Sequence, residues 1–181
     1  MVEVIDRAAT LIGIARGAIA SRERPLPRAS WPDAWLGDRG ASFVTLRLEG
    51  ELRGCIGSVD AHRALGDDVA NNAFGAAYRD SRFEPVSDAE RGRLVVEVSV
   101  LSARAPMNVA SEAEALAAMR PGIDGIYLEF NEMRSTFLPQ VWENLADPLE
   151  FLCELRRKAG LPMRFWHERI RLSRYTVEKF K

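Results

Sequence analysis

The sequence is poor in the residues that most often bind metals or form disulfides. Its 181 residues include two cysteines, Cys55 and Cys153, and two histidines, His62 and His167. No CxxC pair occurs, and His167-Glu168 lacks the second histidine of an HExxH helix, so the ligands of a closed zinc site are missing. We therefore expect no metal site and two reduced thiols.

Glycine-rich phosphate motifs and long apolar runs are also missing. Neither a P-loop nor a GxGxxG pattern occurs, so we expect no resident cofactor. No apolar run approaches the ~18 residues that cross a bilayer. Residues 1–20 mix acidic and basic side chains into their apolar pattern, unlike a signal peptide. These features predict a cytoplasmic protein without membrane attachment, and the length fits a single domain over residues 1–181, with or without two lobes.

Charge is balanced overall but not along the chain. The net charge of −1 argues against bulk electrostatic attraction to nucleic acid. From Arg156 to Lys181, however, nine Lys and Arg residues stand against Glu168 and Glu178, a local net charge of +7. A solvated basic face is the simpler interpretation of this segment, and an anion- or RNA-binding surface is the alternative.

Hydrophobic periodicity predicts an α+β fold with a mainly antiparallel sheet and flanking helices. The predicted helices cover residues 3–20, 61–79, 111–119 and 147–160. The predicted strands cover residues 42–48, 52–57, 94–101, 125–130, 136–138 and 170–177.

The strand 52–57, Leu52-Arg53-Gly54-Cys55-Ile56-Gly57, places a cysteine between glycines. Alternation puts Leu52, Gly54 and Ile56 on one face and leaves Arg53 and Cys55 on the other. A neighbouring guanidinium favours the thiolate form of a cysteine. Gly54 and Gly57 leave room for backbone or a ligand to approach closely. Cys55 is thus a candidate reactive thiol, and the alternative is a small buried filler.

The strand 94–101 contributes a second polar set. Alternate residues of this strand form its apolar face, so the side chains of Glu97 and Ser99 lie on the opposite face. If helices cover the apolar faces of both strands, Arg53 and Cys55 project from the same side of the sheet as Glu97. Glu97 would then either handle protons beside the thiol or form a structural ion pair with Arg53.

Several motifs occur in the order typical of one protein family. LRGCIG follows FVTL, and then come NNAFGAAYRDSRFEP, VEVSVL, STFLPQVWE, FLCELRRKAGLP and RYTVEKF. Over residues 4–180 the chain thereby resembles the AMMECR domain family, named for the Alport syndrome, mental retardation, midface hypoplasia and elliptocytosis chromosomal region. It is similar to the stand-alone microbial form, the A component of the AmmeMemoRadiSam grouping.

The resemblance implies a two-lobed α+β fold around a cleft, but no reaction, because the family has no established activity. Microbial members are associated with a MEMO-type protein and a radical S-adenosylmethionine protein, which implies a shared modification pathway. By motif, the residues implied to line the cleft are Arg53, Gly54, Cys55, Asn72, Asp80, Arg82, Phe83, Glu97, Gln140 and Trp142.

Structural roles are open for several of these residues as well. Asp80 and Arg82 would cap the preceding helix and pair with each other. Phe83 and Trp142 would pack in the core, as aromatic side chains usually do. Gln140 would satisfy backbone groups that the adjacent proline leaves unpaired.

Two hypotheses about function follow. In the first, the protein is an enzyme or enzyme subunit acting on a small molecule or a protein in the cleft. Cys55 would be the reactive thiol, Arg53 would hold an anionic group, and Glu97 or Asp80 would move protons. In the second, the cleft is a non-catalytic binding or adaptor site for a partner protein or an RNA.

Overall fold

The structure is a computed structural model that describes residues 6–181. It divides into two compact units: unit 1 covers Met1–Leu101 and Glu178–Lys181, and unit 2 covers Ser102–Val177. The first helix is described from Arg7, so residues 3–5 of its expected range lie outside the described residues. A single domain with two lobes around a cleft stays a prediction. No helix in the described part of the chain is both long and apolar enough to cross a membrane.

The described elements confirm the α+β class, with antiparallel strand pairs and flanking helices. The helices are α1 (Arg7–Ser21), α2 (Ala34–Gly37), α3 (Leu65–Tyr78), α4 (Asp88–Arg91), α5 (Glu112–Ala118) and α6 (Pro148–Lys158). The strands are β1 (Arg39–Leu48), β2 (Glu51–Gly57), β3 (Arg63–Ala64), β4 (Val95–Leu101), β5 (Ala105–Met107), β6 (Gly125–Phe130), β7 (Met133–Phe137), β8 (Arg171–Tyr175) and β9 (Val177–Phe180).

Unit 1 is built on a sheet with the strand order β2-β1-β4-β9, with β3 paired to the beginning of β1. α3 packs on β1 and β2, and α1 packs on α3 and β4. Both helices therefore lie over one face of the sheet, where the core of unit 1 forms. Its fully buried side chains include Leu11, Ala15, Val44, Leu46, Val69, Ala73 and Val98.

The β1–β2 hairpin explains how the cysteine strand is placed. Glu49 and Gly50 have φ angles of 54° and 89°, the positive values that a two-residue hairpin turn requires. Gly54 lies opposite Leu46, but the next pair is Leu52 with Arg47. Arg53 is therefore the extra residue of a β-bulge, and the regular alternation of side chains is broken there.

Unit 2 contains a second sheet with the order β5-β8-β6-β7. α6 packs on β7, and its first turn is capped by its own sequence: Asp147 accepts a hydrogen bond from the Glu150 N–H at 3.1 Å, and Pro148 occupies the first turn. Gly160 follows the end of α6 with a φ of 83°. The apolar face of α6 is buried in the core of unit 2 through Phe151, Leu152 and Leu155.

Three of the boundaries that differ from the sequence prediction have a clear structural reason. The predicted strand 136–138 is found as Met133–Phe137, because pairing resumes directly after the turn at residues 131–132, and Pro139 begins a 3₁₀ turn. The predicted strand 170–177 is interrupted at Thr176, since β8 belongs to the second sheet and β9 to the first. The predicted helix 61–79 begins only at Leu65, after the short strand β3.

Candidate functional site

A row of three side chains crosses the face of the unit 1 sheet opposite α1 and α3. Cys55 lies opposite Thr45, and Thr45 lies opposite Glu97 on the third strand. The Thr45 hydroxyl oxygen is 3.3 Å from the Cys55 sulfur, and either atom can donate the hydrogen bond. All three residues are half-buried. Cys55 and Glu97 therefore share one face, as alternation predicts.

The neighbouring row explains the second glycine of the motif. Gly57 lies opposite Phe43, and Phe43 lies opposite Ser99. A Cβ at Gly57 would come within 2.1 Å of the Phe43 ring. The glycine leaves room for this aromatic ring rather than for a ligand.

The backbone of Cys55 is held from the open edge of β2. Its N–H donates to a carboxylate oxygen of Asp80 at 2.9 Å, and its carbonyl accepts from Nη2 of Arg82 at 3.2 Å. Because these backbone groups point away from β1, Cys55 and Thr45 form a non-hydrogen-bonded strand pair, in which side chains approach closely. The position of the thiol is thus fixed on both sides of the strand.

Asp80 and Arg82 are also tightly paired with each other. The guanidinium donates from Nε to Oδ1 at 2.9 Å and from Nη2 to Oδ2 at 2.7 Å. This Arg82 contact, with the N–H groups of Cys55 and Arg82, holds the pKa of the buried Asp80 well below its usual range, although burial acts the other way. Asp80 therefore stays ionised near neutral pH, and the structure does not support it as a proton-transfer group.

Arg53 pairs with Glu90 and not with Glu97. Its Nε donates to Oε1 at 2.8 Å and its Nη2 to Oε2 at 3.2 Å. Glu90 also accepts from the N–H and hydroxyl of Ser87, which closes a capping box on α4. The Arg53 contact, followed by the Ser87 bonds, lowers the pKa of Glu90 to about 2. The expected role of Arg53 in holding an anion is therefore not supported, because its charge is already compensated.

Glu97 has other cationic partners. Its carboxylate lies 2.8 Å from Nζ of Lys181 and 4.0 Å from Nε of Arg47. The predicted Arg53–Glu97 ion pair is wrong, because the bulge at Arg53 turns that side chain out of the row. Glu97 remains the acidic group that shares a row with the thiol.

Gly54 and Phe83 have roles in packing. A Cβ at Gly54 would lie 2.1 Å from the carbonyl oxygen of Ala76, so α3 crosses β2 at a distance that only glycine permits. The ring of Phe83 is half-buried, with the guanidinium carbons of Arg53 and Arg82 at 6.0 and 5.4 Å from its centroid. Phe83 therefore packs against the two ion pairs rather than in the apolar core.

Asn72 belongs to a buried network that sequence reasoning missed. Oδ2 of the fully buried Asp68 accepts from the Ser42 N–H at 2.8 Å, the Ser42 hydroxyl at 2.8 Å and the Asn72 amide at 2.9 Å. Oδ1 accepts from the Ser58 hydroxyl at 2.8 Å. The network ties α3 to β1 and to the end of β2. The sequence signal of Asp68 is only that of an acid in the first turn of a helix, where such residues are common.

Trp142 and Gln140 lie in unit 2, whereas the other eight motif residues lie in unit 1. The buried indole of Trp142 donates to the Asp124 carbonyl at 2.7 Å and stacks on Phe151 with ring centroids 3.8 Å apart. Trp142 is thus a core residue of its unit. Oε1 of Gln140 is buried and has no hydrogen-bond partner among residues 6–181. A cleft lined by all ten residues stays a prediction.

The remaining expectations concern metals and the basic segment. In the described part of the chain, no three His, Cys, Asp or Glu side chains come together as metal ligands. Among residues 6–181, four of the nine basic residues after position 155 form ion pairs with acidic side chains, namely Arg156, Arg157, Arg174 and Lys181. Arg156 is fully buried, so the segment is not a uniformly solvated basic face, and its charge is partly compensated.

The fold and this row define an α+β protein with two antiparallel sheets and a half-buried cysteine on the sheet face opposite α1 and α3. A family model described as AMMECR1 matches residues 12–180, so the chain belongs to the AMMECR1 family. It is similar to a protein of Methanothermobacter thermautotrophicus, with 39% identity over 97% of this chain and 94% of that protein. A Thermotoga maritima protein is 34% identical over 86% of this chain and 85% of its own length. The crystal structure of the uncharacterized protein PH0010 from Pyrococcus horikoshii has a TM-score of 0.78 and 31% identity, covering 95% of this chain and 89% of its own.

Proposed function

We propose that the protein is a non-catalytic binding subunit and that it binds its partner through the Cys55 face. This face is the row of Cys55, Thr45 and Glu97 together with the adjacent row of Leu52, Arg47 and Val95. One observation carries the proposal: Leu52 and Val95 are 38% and 50% exposed on either side of Arg47. Exposed apolar side chains around an arginine are typical of protein interfaces.

The contacts around Cys55 favour binding over catalysis. Two groups that catalysis would need as an anion holder and a proton carrier, Arg53 and Asp80, are each occupied in an ion pair. The Asp80–Arg82 pair also occupies the free backbone groups of Cys55 at the edge of β2, which disfavours strand addition there. A partner would therefore dock on the sheet face and not along its edge.

The partner we propose is the MEMO-type protein or the radical S-adenosylmethionine protein that the family resemblance associates with the A component, in the cytoplasm.

The test is calorimetry of the purified chain against each of these proteins. Leu52→Asp and Val95→Asp should weaken binding by about tenfold or more, because each replaces an exposed apolar side chain with a carboxylate that loses its water at the interface. Leu149→Asp, which changes a leucine of equal exposure (38%) in unit 2, is the control. No binding by wild type to either protein, or equal binding by all variants, would contradict the proposal. RNA binding at low salt that weakens steeply with added salt would favour the RNA alternative instead.

An enzyme subunit is the second candidate, and the fixed position of the thiol favours it. Cys55 is held at its N–H, its carbonyl and its sulfur, which is the preorganisation that a nucleophile needs. In this candidate the Cys55 sulfur bonds to the substrate as a leaving group departs from it, and the thiol proton passes through the Thr45 hydroxyl to Glu97 in the same row. The test is the alkylation rate of Cys55 against pH, measured in a Cys153→Ser background. An inert thiol, or one that titrates near the unperturbed ~8.5, would remove the nucleophile role.

A further inference from the structure

A groove of about 700 Å³ lies beside α1 on the helical side of unit 1. α1, the first turns of α3 and the segment 23–31 line it. Its floor on α1 is made mostly of small residues, and a Cβ added at Gly13 or Gly17 would meet no atom within 4 Å. The Cys55 face is on the other side of the sheet, so the proposed function does not use this groove.

A buried carboxylate, that of Asp67, lines the groove. Asp67 is 7% exposed and accepts a hydrogen bond from the backbone N–H of Arg28 at 3.2 Å. Within residues 6–181 it forms no ion pair with Lys, Arg or His. The N-terminus of α3 compensates its charge in part, but a carboxylate removed from water is stabilised most by a cation. The groove therefore has a place for a positive charge.

The segment 24–28 on the same surface carries a matching cation. Arg24 lines the groove and has no ion pair with any described residue. Leu26 follows at 82% exposure, between Pro25 and Pro27, which restrict the backbone. A stiff segment thus presents an apolar side chain and a guanidinium beside the groove, and among the described residues neither this guanidinium nor the Asp67 carboxylate has an ion-pair partner.

We propose that a second copy of this chain occupies the groove, in a two-fold symmetric dimer. Leu26 of each copy covers Gly13 and Gly17 of the other, and Arg24 of each copy pairs with Asp67 of the other. Because the projecting segment and the groove belong to one surface, a single two-fold axis satisfies both contacts at once. The partner is thus identified by charge complementarity between two parts of the same surface.

Sedimentation equilibrium from about 1 µM to about 1 mM, a range that covers weak interfaces, tests the proposal. Wild type should dimerise, and Leu26→Asp should weaken the dimer by about tenfold or more. Gly17→Leu should also dissociate it, because the side chain fills the groove while leucine favours the helix, so the melting temperature should not fall. Leu149→Asp should dimerise like wild type. A wild type that stays monomeric throughout, or a dimer unaffected by Leu26→Asp and Gly17→Leu, overturns the proposal.

A double-mutant cycle tests the ion pair itself. Arg24→Ala and Asp67→Asn should each weaken the dimer, and the double variant should be no weaker than the weaker single variant. The amide in Asp67→Asn keeps an acceptor for the Arg28 N–H, which protects the local fold. Additive losses would show that Arg24 does not pair with Asp67 and would overturn the proposed contact. Leu26→Asp should leave binding at the Cys55 face unchanged, so this dimer and the proposed function fail or succeed separately.

Discussion

Asp80 accepts a hydrogen bond from the backbone N–H of Cys55 at 2.9 Å, at the open edge of β2. Arg82 donates to the carbonyl of the same residue. Edge strands usually leave such groups open to pairing with another chain. Here two side chains of one loop take the place of a neighbouring strand, and they fix the cysteine while they protect the edge.

Removing the Asp80 carboxylate should therefore destabilise the protein and loosen β2. We expect Asp80→Ala to lower the free energy of unfolding by about 2 kcal/mol, because a buried acceptor for a charged donor is lost. The exchange rate of the Cys55 amide hydrogen should rise in parallel. Asp88→Ala is the control, since that carboxylate pairs with Arg22 on the exposed surface and should matter by less than about 1 kcal/mol. Urea unfolding measures both variants, and an equal decrease in the free energy of unfolding for the two would contradict this role of Asp80.

The Arg53–Glu90 pair should make stability sensitive to acid. The folded-state pKa of Glu90 is lowered from 4.5 to about 2, so its contribution is fully present above pH 4.5 and is lost as the pH falls towards 2. Glu90→Gln should lower the free energy of unfolding by about 2 kcal/mol at pH 7. The difference between this variant and wild type should become smaller as the pH falls from 4.5 towards 2. Urea unfolding at several pH values measures both effects, with Glu51→Gln as an exposed control. A gap that does not change with pH would contradict the prediction.

The contact of Gly54 with α3 predicts opposite effects for two glycine substitutions. Gly54→Ala should destabilise by about 3 kcal/mol, because its Cβ would overlap the carbonyl of Ala76 on the helix backbone. Gly13→Ala should stabilise the monomer by up to about 1 kcal/mol, since Gly13 lies inside α1 with open space around it in its own chain. Thermal unfolding of the two variants gives the comparison. A Gly54→Ala variant as stable as wild type would mean that α3 lies farther from β2.

The row of Cys55 and Glu97 was predictable, because β1 and β4 pair in regular register at that point. Alternation failed at Leu52, which was expected on the face of Gly54 and lies opposite Arg47 instead. The reason is the bulge at Arg53. A bulge inserts one residue into the pairing and exchanges the faces of all residues beyond it, and nothing in the LRGCIG letters alone marks it.

The partners of the polar motif residues were less accessible from sequence. Ser87 and Glu90 have capping-box spacing, so α4 could have been found from local pattern. The Arg53–Glu90 pair joins residues 37 positions apart, and the bonds from Ser42 to Asp68 span 26 positions. Such contacts depend on how helices pack on the sheet, and local periodicity does not encode that packing.

Trp142 provides a test of whether a motif residue acts in the core or in ligand binding. Trp142→Phe should keep the stack on Phe151 but lose the hydrogen bond to the Asp124 carbonyl, for a cost of about 1 kcal/mol. Trp142→Ala should lose both and cost about 4 kcal/mol, because it leaves a cavity. Chemical denaturation measures these losses, and calorimetry with the partner protein follows on the Phe variant, which stays folded. If Trp142 acts in the core, the Phe variant should be less stable than wild type and should bind the partner protein with unchanged affinity. Unchanged stability with lost affinity would instead make Trp142 a ligand-binding residue.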